Sequence, residues 1–274
     1  MRRLAVILVI ILINPALAKA GGWGRDAGDV YLRAGAAWFE GTAAFQLLDD
    51  AAPLAEFSST SAELYWEVGV GRQLELDGSL RWVDNRNDLL GAGTHRSRGL
   101  EDLEALVKWT PVSGSRALSL LGGARLSLYE RLPVERTLVG EPQRGPGGTD
   151  VLIGASHGHS FHPTAAWFNL DVLHRLRVSG VSSGVLIRAE LGAMLAPVGG
   201  ALVFEVQPAF GRDIDQAEGD PSPVPKVLGL GAKLFLDIAA GFGLTADGMW
   251  LPDVINDGPG HRIALSATYQ SDPE

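Results

Sequence analysis

Apolar and polar residues alternate one by one along most of this chain. From Ala62 to Val70, Ala62, Leu64, Trp66, Val68 and Val70 fall on one side, and Glu63, Tyr65, Glu67 and Gly69 on the other. The next run repeats the pattern, with Leu74, Leu76, Leu80 and Trp82 opposing Glu75, Asp77, Ser79 and Arg81. A period of two is that of a β-strand, whose successive side chains leave opposite faces. Only Gly71, Arg72 and Gln73 separate the two runs, which predicts a hairpin. Similar runs lie near 29–40, 101–109, 117–129, 149–158, 164–176, 184–196, 200–211, 226–236, 241–252 and 261–270, making twelve predicted strands. The link at 177–183 is short for its place in the series, so ten or fourteen strands remain open.

Charges in the middle of a run keep to one parity. Arg188 and Glu190 oppose Val185, Ile187, Ala189, Leu191 and Ala193; Lys233 opposes Leu228, Leu230, Ala232, Leu234 and Leu236. Glu40, Glu101 and Lys226 break the rule, and all three sit at predicted strand ends. A soluble sandwich also alternates, so the aromatic residues decide between the two. Trp38, Trp82, Phe210 and Trp250 end strands that run the same way, while Trp109, Phe242 and Tyr269 fall at the opposite rim. Two aromatic belts bounding an apolar band are the pattern of a membrane-spanning barrel. Short links at 71–73, 110–116, 159–163, 197–199 and 237–240 alternate with mostly longer ones at 41–61, 84–99, 130–148, 212–225 and 253–260. That asymmetry predicts periplasmic turns and outer loops. The predicted fold is all-β, a transmembrane up-and-down antiparallel β-barrel of about twelve strands.

The first twenty residues break the alternation. Arg2 and Arg3 precede an unbroken apolar run from Leu4 to Ile13, and small residues follow Asn14 and Pro15. Ten apolar residues are too few to cross ~30 Å of hydrocarbon as a helix. Residues 1–20 therefore read as a cleaved signal peptide, with A-x-A sites ending at Ala18 and Ala20, and residues 21–274 as the barrel. No later stretch is apolar enough for a helical span. The expected location is the bacterial outer membrane. The expected partners are the lipid bilayer, lipopolysaccharide and the barrel-assembly machinery. Thirty-five glycines recur inside strands as well as between them. The absence of cysteine removes disulfides, thiolate metal sites and a cysteine nucleophile. A net charge of -9 with no basic run argues against nucleic acid.

Three short segments carry a family resemblance. Gly22-Trp23-Gly24 leads into the first strand, Gly99-Leu100-Glu101-Asp102-Leu103 opens one strand, and Gly148-Thr149-Asp150-Val151-Leu152-Ile153-Gly154 opens another. In these the chain resembles the bacterial outer-membrane transporter barrels linked to phenol meta-cleavage pathways and, more distantly, the long-chain fatty-acid transporters. Members of such families end in an aromatic strand, a role Tyr269 fits, although Gln270 to Glu274 follow it here. The resemblance implies transport of small, hydrophobic or aromatic compounds and assigns no substrate to any residue.

The candidate site is the face opposite the lipid. Its lumen-lining candidates are Arg33, Glu63, Glu67, Glu75, Arg81, Lys108, Arg125, Asp171, Arg188, Glu190, Glu205, Lys233, Asp247 and Arg262, with Asp77, Glu104, Asp150 and Arg175 on the same parity. They suit a polar pore for small solutes, or an interior filled with ion pairs that hold the barrel closed. Leu121, Leu152 and Leu186 also face inward. Ser156-His157-Gly158-His159-Ser160 could hold a metal or a nucleophile with its base, but the cluster lies at a periplasmic turn with no third ligand or orienting acid near it in sequence. Acidic residues at Asp49-Asp50, Asp84 to Asp88, Asp213 to Asp220 and Asp253 to Asp257 lack calcium-loop spacing. The expectation is a passive channel or facilitator for small solutes, with no catalytic residue, cofactor or metal, and no folded plug ahead of the first strand. The alternatives are a non-conducting anchoring barrel and, behind it, an outer-membrane lipid hydrolase.

Overall fold

A computed structural model of the chain describes residues 23–44, 54–89, 93–130, 132–133, 141–145, 147–178, 183–207, 209–210, 227–254 and 260–271. The expected leader, residues 1–20, lies outside them, as do Lys226 and most of the acidic outer links. Twelve strands follow one another: β1 (Val30–Ala44), β2 (Leu54–Gly71), β3 (Leu74–Leu89), β4 (Gly93–Val112), β5 (Arg116–Ser127), β6 (Thr149–Ser160), β7 (Ala166–Arg177), β8 (Ser183–Leu195), β9 (Val198–Gln207), β10 (Val227–Ala239), β11 (Phe242–Val254) and β12 (Gly260–Gln270). Ala209 and Phe210 continue β9, pairing with Gly184 and Ser183 in the register of the β8–β9 ladder.

Each strand pairs antiparallel with the next, and β1 pairs with β12 from Tyr31↔Gln270 to Gly41↔Gly260. This last ladder closes the sheet and leaves no free edge. Followed from strand to strand, the register returns to β1 displaced by about 14 residues, which for twelve strands means a tilt near 40° and a radius of roughly 12 Å.

Five links at one end are short. One of three two-residue turns joins β10 to β11 through Ala240 (φ 50) and Gly241 (φ 79), the two positive angles of a type I′ turn. A Cβ on Gly241 would lie 1.9 Å from the Gln270 carbonyl oxygen, so only glycine fits. Both ends of the barrel sheet meet at this rim, where Val30 N–H donates to Ser271 Oγ (2.8 Å) and Ser271 N–H donates to the Val30 carbonyl (2.9 Å).

Burial is inverted relative to a soluble protein. Glu75 and Asp150 are fully buried, whereas Leu234 and Leu265 are each 63% exposed. The exposed leucines, valines and isoleucines occupy one parity of each strand and the buried charges the other, except in β4, where bulges shift the parity. Such a surface is stable only against hydrocarbon, which needs no hydrogen bonds from it and replaces the water that leucine avoids. Trp38, Trp82 and Trp250 face outward at the looped rim, and Trp109 and Phe242 face outward at the turn rim, where Phe242 meets Tyr269 at 4.9 Å. The side chain of Phe210 lies outside the described ones.

Two departures from the expected strands affect the site. The stretches 54–61, 84–89 and 93–99, expected as parts of outer loops, are strand: β2, β3 and β4 stay paired out to Ala55↔Leu89 and Leu89↔Gly93. Beyond the lipid neither face must be apolar, so this polar ribbon lacks the pattern that marks a membrane strand. The second departure is a bulge. Leu80 pairs with Leu103 and Trp82 with Leu100, so Glu101 and Asp102 together oppose Arg81. Both are buried, and each pairs with an inward-facing arginine. Glu101, an expected strand-end exception, is therefore an inward residue carried by the bulge.

Candidate functional site

The inward parity builds a charged lumen in three levels. At the turn rim, the chain ahead of β1 folds inside. Gly28 N–H donates to the Gly69 carbonyl (2.8 Å) and Gly69 N–H to the Asp29 carbonyl (2.9 Å), fixing the segment against the end of β2. Arg25 Nε then donates to Glu67 (2.5 Å), its backbone N–H to Glu75 (2.7 Å), and its guanidinium lies 4.8 Å from the Tyr31 ring centre. Lys108 bridges Glu75 and the Trp23 carbonyl, both at 3.0 Å, and Trp23 Nε1 donates to the Gly114 carbonyl (2.7 Å). A Cβ on Gly158, inward on β6, would come within 2.8 Å of the Trp23 ring. Residues 23–29 thus form a strap along the inner wall from β1 to β6. This corrects the expectation that nothing folded precedes the first strand. Its sequence is short and glycine-rich and has no periodicity; the only signal was an arginine and a tryptophan placed just ahead of the barrel.

The middle level is held by pairs between walls. Arg33 meets Glu63 at 2.5 Å and lies over the Tyr65 ring, whose hydroxyl donates to Glu67 (2.8 Å). Arg262 meets Asp247 at 3.1 Å. Strand β9 presents only Gly199, Ala201 and Val203 inward near the turn rim, so side chains on either side meet across it. Lys233 on β10 reaches Glu190 on β8 at 2.5 Å, Trp167 Nε1 on β7 donates to the other Glu190 oxygen (3.1 Å), and the Trp167 and Phe235 rings lie 6.0 Å apart. Trp167 lies flat over Gly192, its cross-strand neighbour. Asp171 accepts from the Ser156 hydroxyl. Arg188 is aligned across the strands with both Asp171 and Glu205, and among the described residues no ion pair within 4.0 Å closes on Arg188 or Glu205.

The outer level centres on Asp150, which pairs with Arg125 (2.6 Å), Arg175 (3.6 Å) and Arg177. Arg125 also meets Asp102 at 3.5 Å, and Arg81 meets Glu101 at 3.2 Å. Between β5 and β6, the described residues 141–145 and 147–148 lie against this level. Asn85 Nδ2 donates to the Gln143 carbonyl (2.7 Å), and a Cβ on Gly145 would lie 2.6 Å from a Glu101 carboxylate oxygen. Tyr129 accepts the Gly147 N–H at 2.7 Å, and Arg144 lies 4.8 Å from its ring centre. Burial, reinforced by the Asp102 carboxylate, pushes the Tyr129 phenol up to about 12, so it stays neutral in this contact. Periodicity could not reveal an inward loop, because its contacts come from irregular backbone.

Leucines also face inward among these charges. Leu106, Leu121, Leu152, Leu173 and Leu186 lie on the inward parity of β4 to β8. Glycines make room for two of them: Gly123 would touch Leu106, and Gly154 would touch Leu173, at 2.9 Å if either carried a Cβ. His157 and His159, by contrast, take the outward parity of β6 at the turn rim, with His159 edge-on to Phe161 at 4.7 Å. Among the described residues no group of three or more His, Cys, Asp or Glu could hold a metal ion.

An inside-out closed sheet with a charged interior has known counterparts. The fold is that of an outer-membrane β-barrel. It is similar to the COG4313 outer membrane channel from Pseudomonas putida F1, at 12% identity over 94% of this chain and 99% of that one, with a TM-score of 0.59. It is also similar to the NanC porin (7% identity, 87% and 98% covered, TM-score 0.57) and to the translocator domain of the autotransporter NalP from Neisseria meningitidis (11%, 98% and 93%, 0.52). No family model and no curated protein matches the sequence. At such identities the likeness concerns the fold.

Proposed function

We propose that the chain is exported to the bacterial outer membrane and acts there as a passive channel for small solutes, hydrophobic or aromatic compounds among them. The observation that carries this reading is the lumen. Inside a barrel that presents its apolar band to lipid, ionisable side chains of both signs line the inner face, and on β4 to β8 inward leucines stand among them. Leucines set among polar groups suit a solute that carries both apolar and polar surface, because each then finds a favourable neighbour in transit. Paired charges of both signs keep the field along the pore small, which favours weak ion selectivity. The named likenesses to an outer membrane channel and a porin support the same reading. The lumen candidates, Arg33 to Arg262, are the proposed pore lining. The reading includes no catalytic step, cofactor or metal. Partners beyond lipid are the assembly machinery and the solute.

The strap and the inward link favour a second reading, a barrel closed at both mouths that serves as an anchor. Single-channel recording of refolded protein in a planar bilayer separates the two. Discrete openings with near-equal cation and anion passage support the pore; a silent barrel, shown to be inserted by protease protection, overturns it. Ester hydrolysis lost on His157→Ala or His159→Ala would overturn the non-enzymatic reading.

A further inference from the structure

The ribbon of β2, β3 and β4 that stands beyond the aromatic ring gathers three arginines on its outward face. Trp82 and Leu100 face each other across β3 and β4 on the outward parity. Two residues further out Asp84 faces Arg98, and two further again Arg86 faces Arg96. On β2 the neighbours of Asp84 and Arg86 are Thr60 and Ser58. With Glu40 beside Ser58 on β1, the two rows nearest the ring therefore hold three guanidiniums, two hydroxyls and two carboxylates. Asp88, Thr94 and Glu56 form a third row.

Arg86 opposite Arg96 is a like-charge cross-strand pair, which destabilises a sheet unless an anion lies between. Each leans away from the other. Arg96 grips both oxygens of Asp84 on one diagonal, with Nε at 2.6 Å, and Arg86 meets Asp88 within its own strand at 3.0 Å. Both stay more than half exposed, and among the described residues no ion pair within 4.0 Å closes on Arg98. Two residues of strand rise roughly 7 Å, or about 5 Å along a tilted barrel, so these heads stand just beyond the belt, where lipid headgroups begin. The outward parity turns them to the surrounding leaflet and away from the lumen.

We infer that Arg86, Arg96 and Arg98, with Ser58 and Thr60, form a contact site for the phosphates of lipid A in the outer leaflet. Guanidinium forks match phosphate oxygens in pairs, and hydroxyl donors between them complete the set. The inference rests on the outer-membrane reading but not on conduction. The Trp82 and Leu100 side chains, directly below, suit the acyl chains of the same molecule.

The test uses the refolded full chain in mixed micelles, with native mass spectrometry to count bound lipid. Kdo-lipid A carrying both phosphates is compared with the same lipid after phosphatase treatment. The wild type should hold the phosphorylated form at least about tenfold more tightly, the value of one charge-assisted contact. Arg86→Ser, Arg96→Ser and Arg98→Ser together should abolish that preference while leaving binding of the dephosphorylated lipid unchanged. Asp84→Asn, which frees Arg96, should increase the preference, a gain that misfolding cannot imitate. Equal binding of both lipids by the wild type, or an undiminished preference in the triple variant, overturns the site. Failure to fold into micelles at all would instead overturn the barrel reading, and a silent but lipid-selective barrel would overturn only conduction.

Discussion

Arg25→Ala is the sharpest probe of the strap. The side chain is 5% exposed and makes one charge-assisted contact, to Glu67 at 2.5 Å, and one face contact, to Tyr31 at 4.8 Å. The first is worth about 1.5–3 kcal/mol and the second roughly 0.5–2 kcal/mol. Losing about 3 kcal/mol should raise the population of the released strap by roughly 150-fold. The barrel itself should keep its unfolding temperature, because the seam at Val30 and Ser271 and all twelve ladders are untouched. The assay is amide exchange of residues 23–29 in micelles, read beside single-channel conductance. Exchange at residue 25, whose N–H is held by Glu75, should quicken by about two orders of magnitude, with longer or larger openings. Glu67 is left with only the Tyr65 hydroxyl, so Glu67→Gln and the double variant complete a cycle, in which the double change should cost less than the sum of the single changes. Unchanged exchange would refute the latch. Faster exchange with unchanged conductance would show that the strap lies beside the solute path rather than in it.

Three further outcomes follow from the same geometry. Leu234→Arg, on the lipid face, should cost about 2–4 kcal/mol and block assembly, whereas Glu190→Gln, on the lumen face, should fold; equal tolerance in a heat-modifiability assay would reverse the face assignment. Arg188→Glu removes a lumen cation that closes no ion pair within 4.0 Å among the described residues, so reversal potentials should move toward cation passage, and an unmoved potential would take Arg188 out of the path. Gly241→Val should lower the yield of folded barrel sharply, since its Cβ would meet the Gln270 carbonyl; normal folding, read as resistance to protease, would contradict the turn.

What the sequence disclosed depended on where the lipid is. Within the apolar band every residue must choose between hydrocarbon and lumen, so a single charge such as Lys233 or Asp247 sets the parity of its whole strand. Strand number, hairpin order and the two belts followed from that rule. Outside the band the choice disappears. The ribbon at 84–89 and 93–99 was expected as loop because Asp84, Arg86, Arg96 and Arg98 face water as readily as Asn85 and Asn87 face in. The bulge at Glu101–Asp102 shifts parity by one, which in sequence looks like an exception at a strand end. The strap and the inward residues 141–145 and 147–148 depend on partners far away in sequence, such as Arg25 on Glu67 and Gln143 on Asn85, and neither pairing leaves a local trace. Of the candidate residues, the pairs Arg33–Glu63 and Arg262–Asp247 join sheet neighbours and could be anticipated from register. Lys233–Glu190 crosses β9 and depends on the small residues there.

The seam between β1 and β12 sets the order in which this chain is made. Its two edges are 241 residues apart at Val30 and Ser271, so the first strand is synthesised long before its partner exists. Until then both edges present unpaired backbone groups, and each hairpin carries leucines on one side and charges on the other, with no solvent that suits both. No partial sheet can therefore settle, in water or in lipid. Closure must be a late event, which makes the last dozen residues the step that commits all the others.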